Sequence, residues 1–182
     1  MEVIKVEKAI ETYIKDCTKP FPVETQVFVL KLHQRLVNFG FKCEVKNKRF
    51  STVGNYFLYS YKRKRIEDIW IIKINPNDCA LRFNAKYASI YADFIENLPS
   101  YLLNIITTGD GCSYNPMPEK CQAAIIENKF GMEYIINVNG TQYIKCNSKC
   151  CAACDFWIPL TDLTIEVNQA IEDWIELELS HL

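Results

Sequence analysis

A chain of 182 residues with 49% hydrophobic and 13% aromatic side chains, 6 Gly and 7 Pro is long enough to bury a core of its own and too apolar to be disordered or fibrous. Its 21 Lys and Arg stand against 22 Asp and Glu, a formal net charge of -1, which excludes a uniformly basic or uniformly acidic tail protein. The 9 cysteines are an odd number, which argues against a secreted disulfide framework. No stretch approaches the ~20 consecutive apolar residues of a membrane span. The opening Met1-Glu2-Val3-Ile4-Lys5-Val6-Glu7-Lys8 has neither the apolar region nor the small-residue cleavage site of a signal peptide. The expectation is a cytoplasmic protein with reduced thiols and no membrane association.

Val3, Val6, Ile10 and Tyr13/Ile14 recur at helical spacing and predict a first amphipathic helix over 3–16. Lys19-Pro20-Phe21-Pro22 interrupts it. A second helix is expected from Pro22 or Val23 through Val29, Leu32, Leu36 and Phe39; proline is tolerated in a first turn, and Gly40 suits a left-handed C-terminal cap. Four strands should follow, over roughly 41–46, 55–62, 69–75 and 79–84. Phe41 to Lys46 alternates as a half-buried strand does, and Asn55 to Tyr61 puts Phe57, Tyr59 and Tyr61 on one face. Lys62 to Asp68 reads as a charged connection. Ile69-Trp70-Ile71-Ile72-Lys73-Ile74 is a nearly continuous β-branched run, the pattern of a central strand buried on both faces. Asn75-Pro76-Asn77-Asp78 supplies turn residues before the fourth strand.

Tyr87, Tyr91, Phe94/Ile95 and Leu98 predict a helix over 85–97, with Pro99 opening a further helical stretch to Ile106. Glu133–Val138 and Thr141–Cys146 flank the dipeptide Asn139-Gly140. Both of its residues tolerate positive φ, so a hairpin is expected with Val138 opposite Thr141, Ile136 opposite Tyr143 and Glu133 opposite Cys146. A final helix should start at Thr161 or Asp162 and bury Leu163, Val167, Ala170/Ile171 and Trp174, with its acidic residues toward solvent. The fold class is α+β. A four-stranded antiparallel sheet packed by N- and C-terminal helices (1–109 and 156–182) carries an appended cysteine-rich hairpin unit at 110–155.

Cys112, Cys121, Cys146, Cys150, Cys151 and Cys154 bracket that hairpin. Zinc favours four tetrahedral thiolate or imidazole ligands gathered from two loops, so Cys112, Cys121, Cys146 and either Cys150 or Cys151 are the candidate ligands of a structural zinc. Cys112-x8-Cys121 is looser than a usual zinc knuckle, and the CxxC of Cys151 and Cys154 has no matching CxxC upstream. The competing readings are small buried thiols without a ligand, and a thiol-dependent or metal-thiolate enzyme or redox sensor using Cys146, Cys150, Cys151 and Cys154. The latter needs a thiolate stabilised by a cation or helix N-terminus. Lys149 is near, but the sequence beyond is acidic.

Only His33 and His181 are present, so a Ser-His-Asp or Cys-His set is hard to assemble, and no GxxxxGK[ST], GxGxxG or HExxH occurs. Glu133, opposite Cys146, is the one carboxylate placed for base chemistry. Phe57, Tyr59, Tyr61 and Trp70, beside Arg63 and Arg65, form a candidate ligand-binding platform for a small molecule or for bases; the alternative is a sheet face packed beneath helices. The chain between Lys42 and Arg65 is basic, and after Lys149 there is no Lys or Arg. The leading functional expectation is a non-enzymatic ligand-binding or regulatory domain with a small-molecule or protein partner. A protein- or nucleic-acid-interaction module ranks behind it, nucleic acid being the less favoured partner.

Overall fold

The computed structural model describes residues 2–49, 52–63, 66–82, 85, 87–108, 133–146, 157–161 and 163–182. The chain forms two compact units: Met1–Arg82 with Pro159–Leu163, and Phe83–Ile158 with Thr164–Leu182. The class is α+β, as the alternation of helical and strand periods predicts.

In the first unit, α1 (Glu2–Thr18) and α2 (Val23–Phe39) precede a meander of β1 (Lys42–Arg49), β2 (Thr52–Arg63), β3 (Ile66–Asn75) and β4 (Asp78–Arg82). Gly40 ends α2 at φ 112, and its N–H bonds back to the Leu36 and Val37 carbonyls, the left-handed cap that an L side chain resists. The three pairings β1–β2, β2–β3 and β3–β4 are all antiparallel. A two-residue strand, β7 (Ile158–Pro159), joins beside β4 to give the order β1-β2-β3-β4-β7. It brings Leu160 N–H onto the Cys79 carbonyl at 2.7 Å, and the Thr25 hydroxyl of α2 donates to the Leu160 carbonyl at 2.7 Å. Two residues are too few to show a period of two, so β7 left no pattern to read.

Lys62 to Asp68 is not a connection over its whole length. β2 and β3 pair out to Arg63 and Ile66, leaving only Lys64 and Arg65 between them. In that register Lys62 lies directly across from Glu67 and Tyr61 across from Asp68. Trp70, Ile71, Ile72 and Ile74 are all buried, so β3 is covered on both faces, as its unbroken apolar run predicts.

Gly54, in β2, sits where an added side chain would meet its neighbour. A Cβ there would run into the Asn75 side-chain amide, first its Oδ1 and then its Cγ. Gly54→Ala should therefore force Asn75 out of its half-buried site and cost about 1–3 kcal/mol. Urea denaturation checks this: Asn75→Ala should restore most of the loss in a Gly54→Ala background, and full additivity would show that the two positions do not meet.

The second unit holds α3 (Ala92–Glu96), α4 (Ser100–Thr107), the hairpin β5 (Glu133–Val138) and β6 (Thr141–Cys146), and α5 (Ile165–His181). Asn139 at φ 49 and Gly140 at φ 77 make the tight turn, and the pairs Val138–Thr141, Ile136–Tyr143 and Glu133–Cys146 reproduce the expected register. α3 and α4 pack against β5. The stretch expected as one helix over 85–97 is a turn at 87–91 followed by the short α3. The last helix starts later than Thr161 or Asp162. Thr164 is its N-cap, accepting the Val167 N–H at 3.2 Å, because the preceding residues are drawn along β4. Among the described residues no helix is long and apolar enough to cross a membrane.

Candidate functional site

The aromatic platform of the first unit is roofed. Tyr59 and Trp70 face each other across β2 and β3, as do Phe57 and Ile72, so their side chains share one face of the sheet. Phe57 and Tyr59 are 0% exposed and Trp70 1%. Tyr13 of α1 sets its ring 5.9 Å from that of Phe57, and His33 of α2 lies edge-on to Tyr59 at 5.8 Å. Tyr61, two residues on, is half-buried and touches Phe39 and Phe41. Arg63 ends β2 opposite Ile66, and Arg65 lies outside the described residues. The structure thus brings Phe57, Tyr59 and Trp70 together as core beneath α1 and α2, and leaves Tyr61 at the margin.

Beneath that roof runs a buried hydrogen-bond chain. His33 Nδ1 and the Tyr59 hydroxyl are 2.9 Å apart, and the same hydroxyl is hydrogen-bonded to the Cys43 sulfur. His33, which helical spacing alone marks as an ordinary helix residue, is the polar tie between α2 and the sheet. Burial holds every acid in this chain in its protonated form. It pushes the Cys43 thiol up to about 12, against the partial opposition of the Tyr59 bond, and it raises Tyr59 well above the usual phenol value. Cys79 is likewise pushed up to about 12 by burial, and Cys17 is raised for the same first reason. A thiol held protonated is a poor nucleophile and a poor metal ligand. Cys17, Cys43 and Cys79 are free thiols that serve as small packing residues.

Groups whose folded pKa is raised stabilise the fold fully at pH below the unfolded value near 9, and that stability is lost as pH climbs toward about 12. Urea midpoints of the first unit should be level up to about pH 8.5 and fall steeply between about pH 9 and 11. The Cys43→Ala/Cys79→Ala variant should fall less steeply, and an equal slope in both proteins would remove the thiols from the account.

The second unit holds a network that sequence reading assigned to solvent. Glu178 is 1% exposed. It accepts hydrogen bonds from the Tyr91 hydroxyl and, at 3.1 Å, from the Tyr87 backbone N–H. Trp174 Nε1–H donates to the Tyr91 hydroxyl oxygen at 3.1 Å, and His181 stacks on Tyr87 with centroids 5.6 Å apart. Burial, and then the Glu178 charge, raise the Tyr91 phenol far above its ordinary value, so Tyr91 is a fixed donor rather than an acid or base. The signal for Glu178 was present: it continues the spacing of Val167, Ile171 and Trp174 on the buried stripe of α5, and a carboxylate on such a stripe must find donors.

Lys145 of β6 is also buried, and its ammonium donates to the Thr108 carbonyl at 3.3 Å, a cation at the C-terminal end of α4 where the helix dipole favours it.

No protein-family model, curated protein or solved structure matches this chain. Of the candidate zinc ligands, Cys112, Cys121, Cys150 and Cys151 lie outside the described residues, as does Cys154. Cys146 is placed by its backbone at the end of β6, across from Glu133. Among the described residues no group of three or more His, Cys, Asp or Glu side chains could hold a metal ion.

Proposed function

We propose that the chain is a non-enzymatic, cytoplasmic binding or regulatory domain whose 110–155 segment is held by one structural zinc on Cys112, Cys121, Cys146 and either Cys150 or Cys151. The observation that carries this reading is the register of Glu133 against Cys146. It puts Cys146 at the open end of the hairpin, where the chain bearing Cys112 and Cys121 enters and the chain bearing Cys150 and Cys151 leaves. Ligands drawn from the two segments that flank one hairpin in sequence suit a closed tetrahedral thiolate site. The protonated state of Cys17, Cys43 and Cys79 supports the same assignment, since it leaves thiolate chemistry to the cluster. Bound there, zinc supplies a cross-link between segments and no open coordination position.

A non-enzymatic role is supported by the Tyr59 and Tyr91 phenols, which burial holds protonated, so that neither serves as an acid or base near neutral pH. The binding role cannot rest on Phe57, Tyr59 and Trp70, which α1 and α2 cover; a ligand there would have to displace a helix. Elemental analysis of the purified protein with thiol titration tests the zinc. About one zinc per chain with about four thiols protected until a chelator is added supports it. No metal together with one fast-reacting cluster thiol would overturn it in favour of thiol-dependent chemistry.

A further inference from the structure

The sheet of the first unit runs β1-β2-β3-β4-β7, so β1 is an edge strand, and among the described residues no strand pairs with its outer side. An open edge offers a row of backbone N–H and C=O groups to any chain that can lie along it, and proteins blunt such edges with short strands, proline, bulges or charge. β1 is 8 residues long and has no proline. The irregularity in its pairing lies in its neighbour. Lys46 faces Tyr56 and Lys48 faces Val53, so Gly54 and Asn55 of β2 together oppose Asn47 and β1 itself holds no extra residue. Charge is the remaining guard, and it is of mixed sign.

Lys42, Glu44 and Lys46 alternate along one face of β1 and are exposed, with Lys46 Nζ 3.4 Å from Glu44 Oε2. An exposed pair of this kind is weak, which leaves both charges available to a further strand. Cys43 and Val45 alternate on the other face. They are only half-buried, whereas Tyr59 and Phe57 directly across from them are 0% exposed. A second copy laid antiparallel along this edge reads the same sequence in reverse. A two-fold axis normal to the sheet keeps each face on its own side, so it must pass through a residue and not between two. With the axis through Val45, Val45 meets its own copy, Glu44 of each chain faces Lys46 of the other, Cys43 faces Asn47, and Lys42 meets Lys48 only at the two ends. Moving the axis one residue either way sets Glu44 against Glu44 or Lys46 against Lys46. An axis through Cys43 keeps Lys42 against Glu44 but leaves only Lys42 to Glu44 of β1 in the ladder.

We propose that β1 is a homodimerisation edge, on which a second copy of this chain pairs antiparallel about an axis through Val45 and joins the two sheets into one. The alternation of Lys, Glu and Lys selects this occupant, because it is complementary to itself in that register, and opposite charges across an antiparallel ladder stabilise the pairing. The added strand also covers the open flanks of Cys43 and Val45. A ladder of this length falls below the about 1,200 Å² of a stable interface, so the dimer should come apart on dilution. The pairing needs neither the zinc nor a ligand.

Sedimentation velocity of the full-length protein under reducing conditions, over a dilution series from millimolar to low micromolar, should show a monomer–dimer equilibrium. Glu44→Lys and Lys46→Glu each turn two attractive cross-strand pairs into repulsive ones and should weaken the dimer by about 2- to 30-fold. The double reversal Glu44→Lys/Lys46→Glu should return the wild-type affinity. Both positions are exposed, so circular dichroism should match wild type in all three variants. Val45→Cys should cross-link to its own copy on mild oxidation, because facing Cα atoms lie about 4.5–5.5 Å apart, within disulfide reach. Mass spectrometry should find the peptide joined to itself at position 45, and Glu44→Cys and Lys46→Cys should give no such product. The proposal is overturned by a protein that stays monomeric at every concentration, whose edge would then serve another partner or none. It is equally overturned by charge reversals that leave association unchanged, by a double reversal as weak as the single ones, or by cross-linking at position 44 or 46 in place of 45.

Discussion

On the proposed zinc assignment, stripping the metal should expose the thiols of the 110–155 segment and leave the first unit's sheet standing. Structural zinc contributes on the order of 10–16 kcal/mol in small modules, as much as the whole stability of an ordinary domain. The thiols report the outcome. After a strong chelator, the cluster cysteines should react with an aromatic disulfide reagent within seconds to minutes. Cys43 and Cys79 should stay protected, because burial keeps them protonated. Circular dichroism should lose part of its signal and regain it when zinc is restored. A chelator that leaves both the melting curve and the thiol count unchanged would sink the zinc assignment and return the cluster to plain packing or thiol chemistry.

Trp70→Ala should be the most damaging single substitution in the first unit, at about 3–5 kcal/mol. Trp70 is 1% exposed, lies across from Tyr59 and carries Phe41 on its ring. Neighbours held by strand pairing cannot collapse into the space that alanine leaves. A loss of that size is a large fraction of a typical 5–15 kcal/mol, so the urea midpoint should drop steeply with the slope unchanged. A loss below about 1 kcal/mol would mean that the aromatic face is open, and would revive the platform of Phe57, Tyr59, Tyr61 and Trp70 as a ligand site.

Much of the fold was legible because its signals are local. Asn139-Gly140 set the hairpin register to the residue, since only a turn with two positive φ values matches the strand twist at that length. Gly40 ended α2 for the same kind of reason, and the β-branched run of β3 announced burial on both faces. The start of α5 was misplaced because Thr161, Asp162 and Thr164 are all competent caps, and the choice among them was made by the pairing of Ile158–Pro159 with β4, a contact between positions about eighty residues apart. Glu178 was misread because its type argued for solvent while its spacing argued for the core. The donors that resolve the conflict, Tyr91 and Tyr87, come from a distant turn.

The functional residues divide in the same way. The sequence by itself determined that aromatics and cations coincide between Phe39 and Arg65, that six cysteines bracket one hairpin, and that β1 to β4 form a meander, because each is a matter of order and short-range spacing. Only the tertiary structure decided which aromatics are covered. Phe57, Tyr59 and Trp70 lie under α1 and α2 while Phe39 and Tyr61 reach the margin, and the alternation of a strand is the same whether its face meets water or a helix. It also decided that His33 is a core ligand of Tyr59 and that Glu178 is a buried anchor, since burial and hydrogen-bond partners are properties of the packed chain and not of any segment within it.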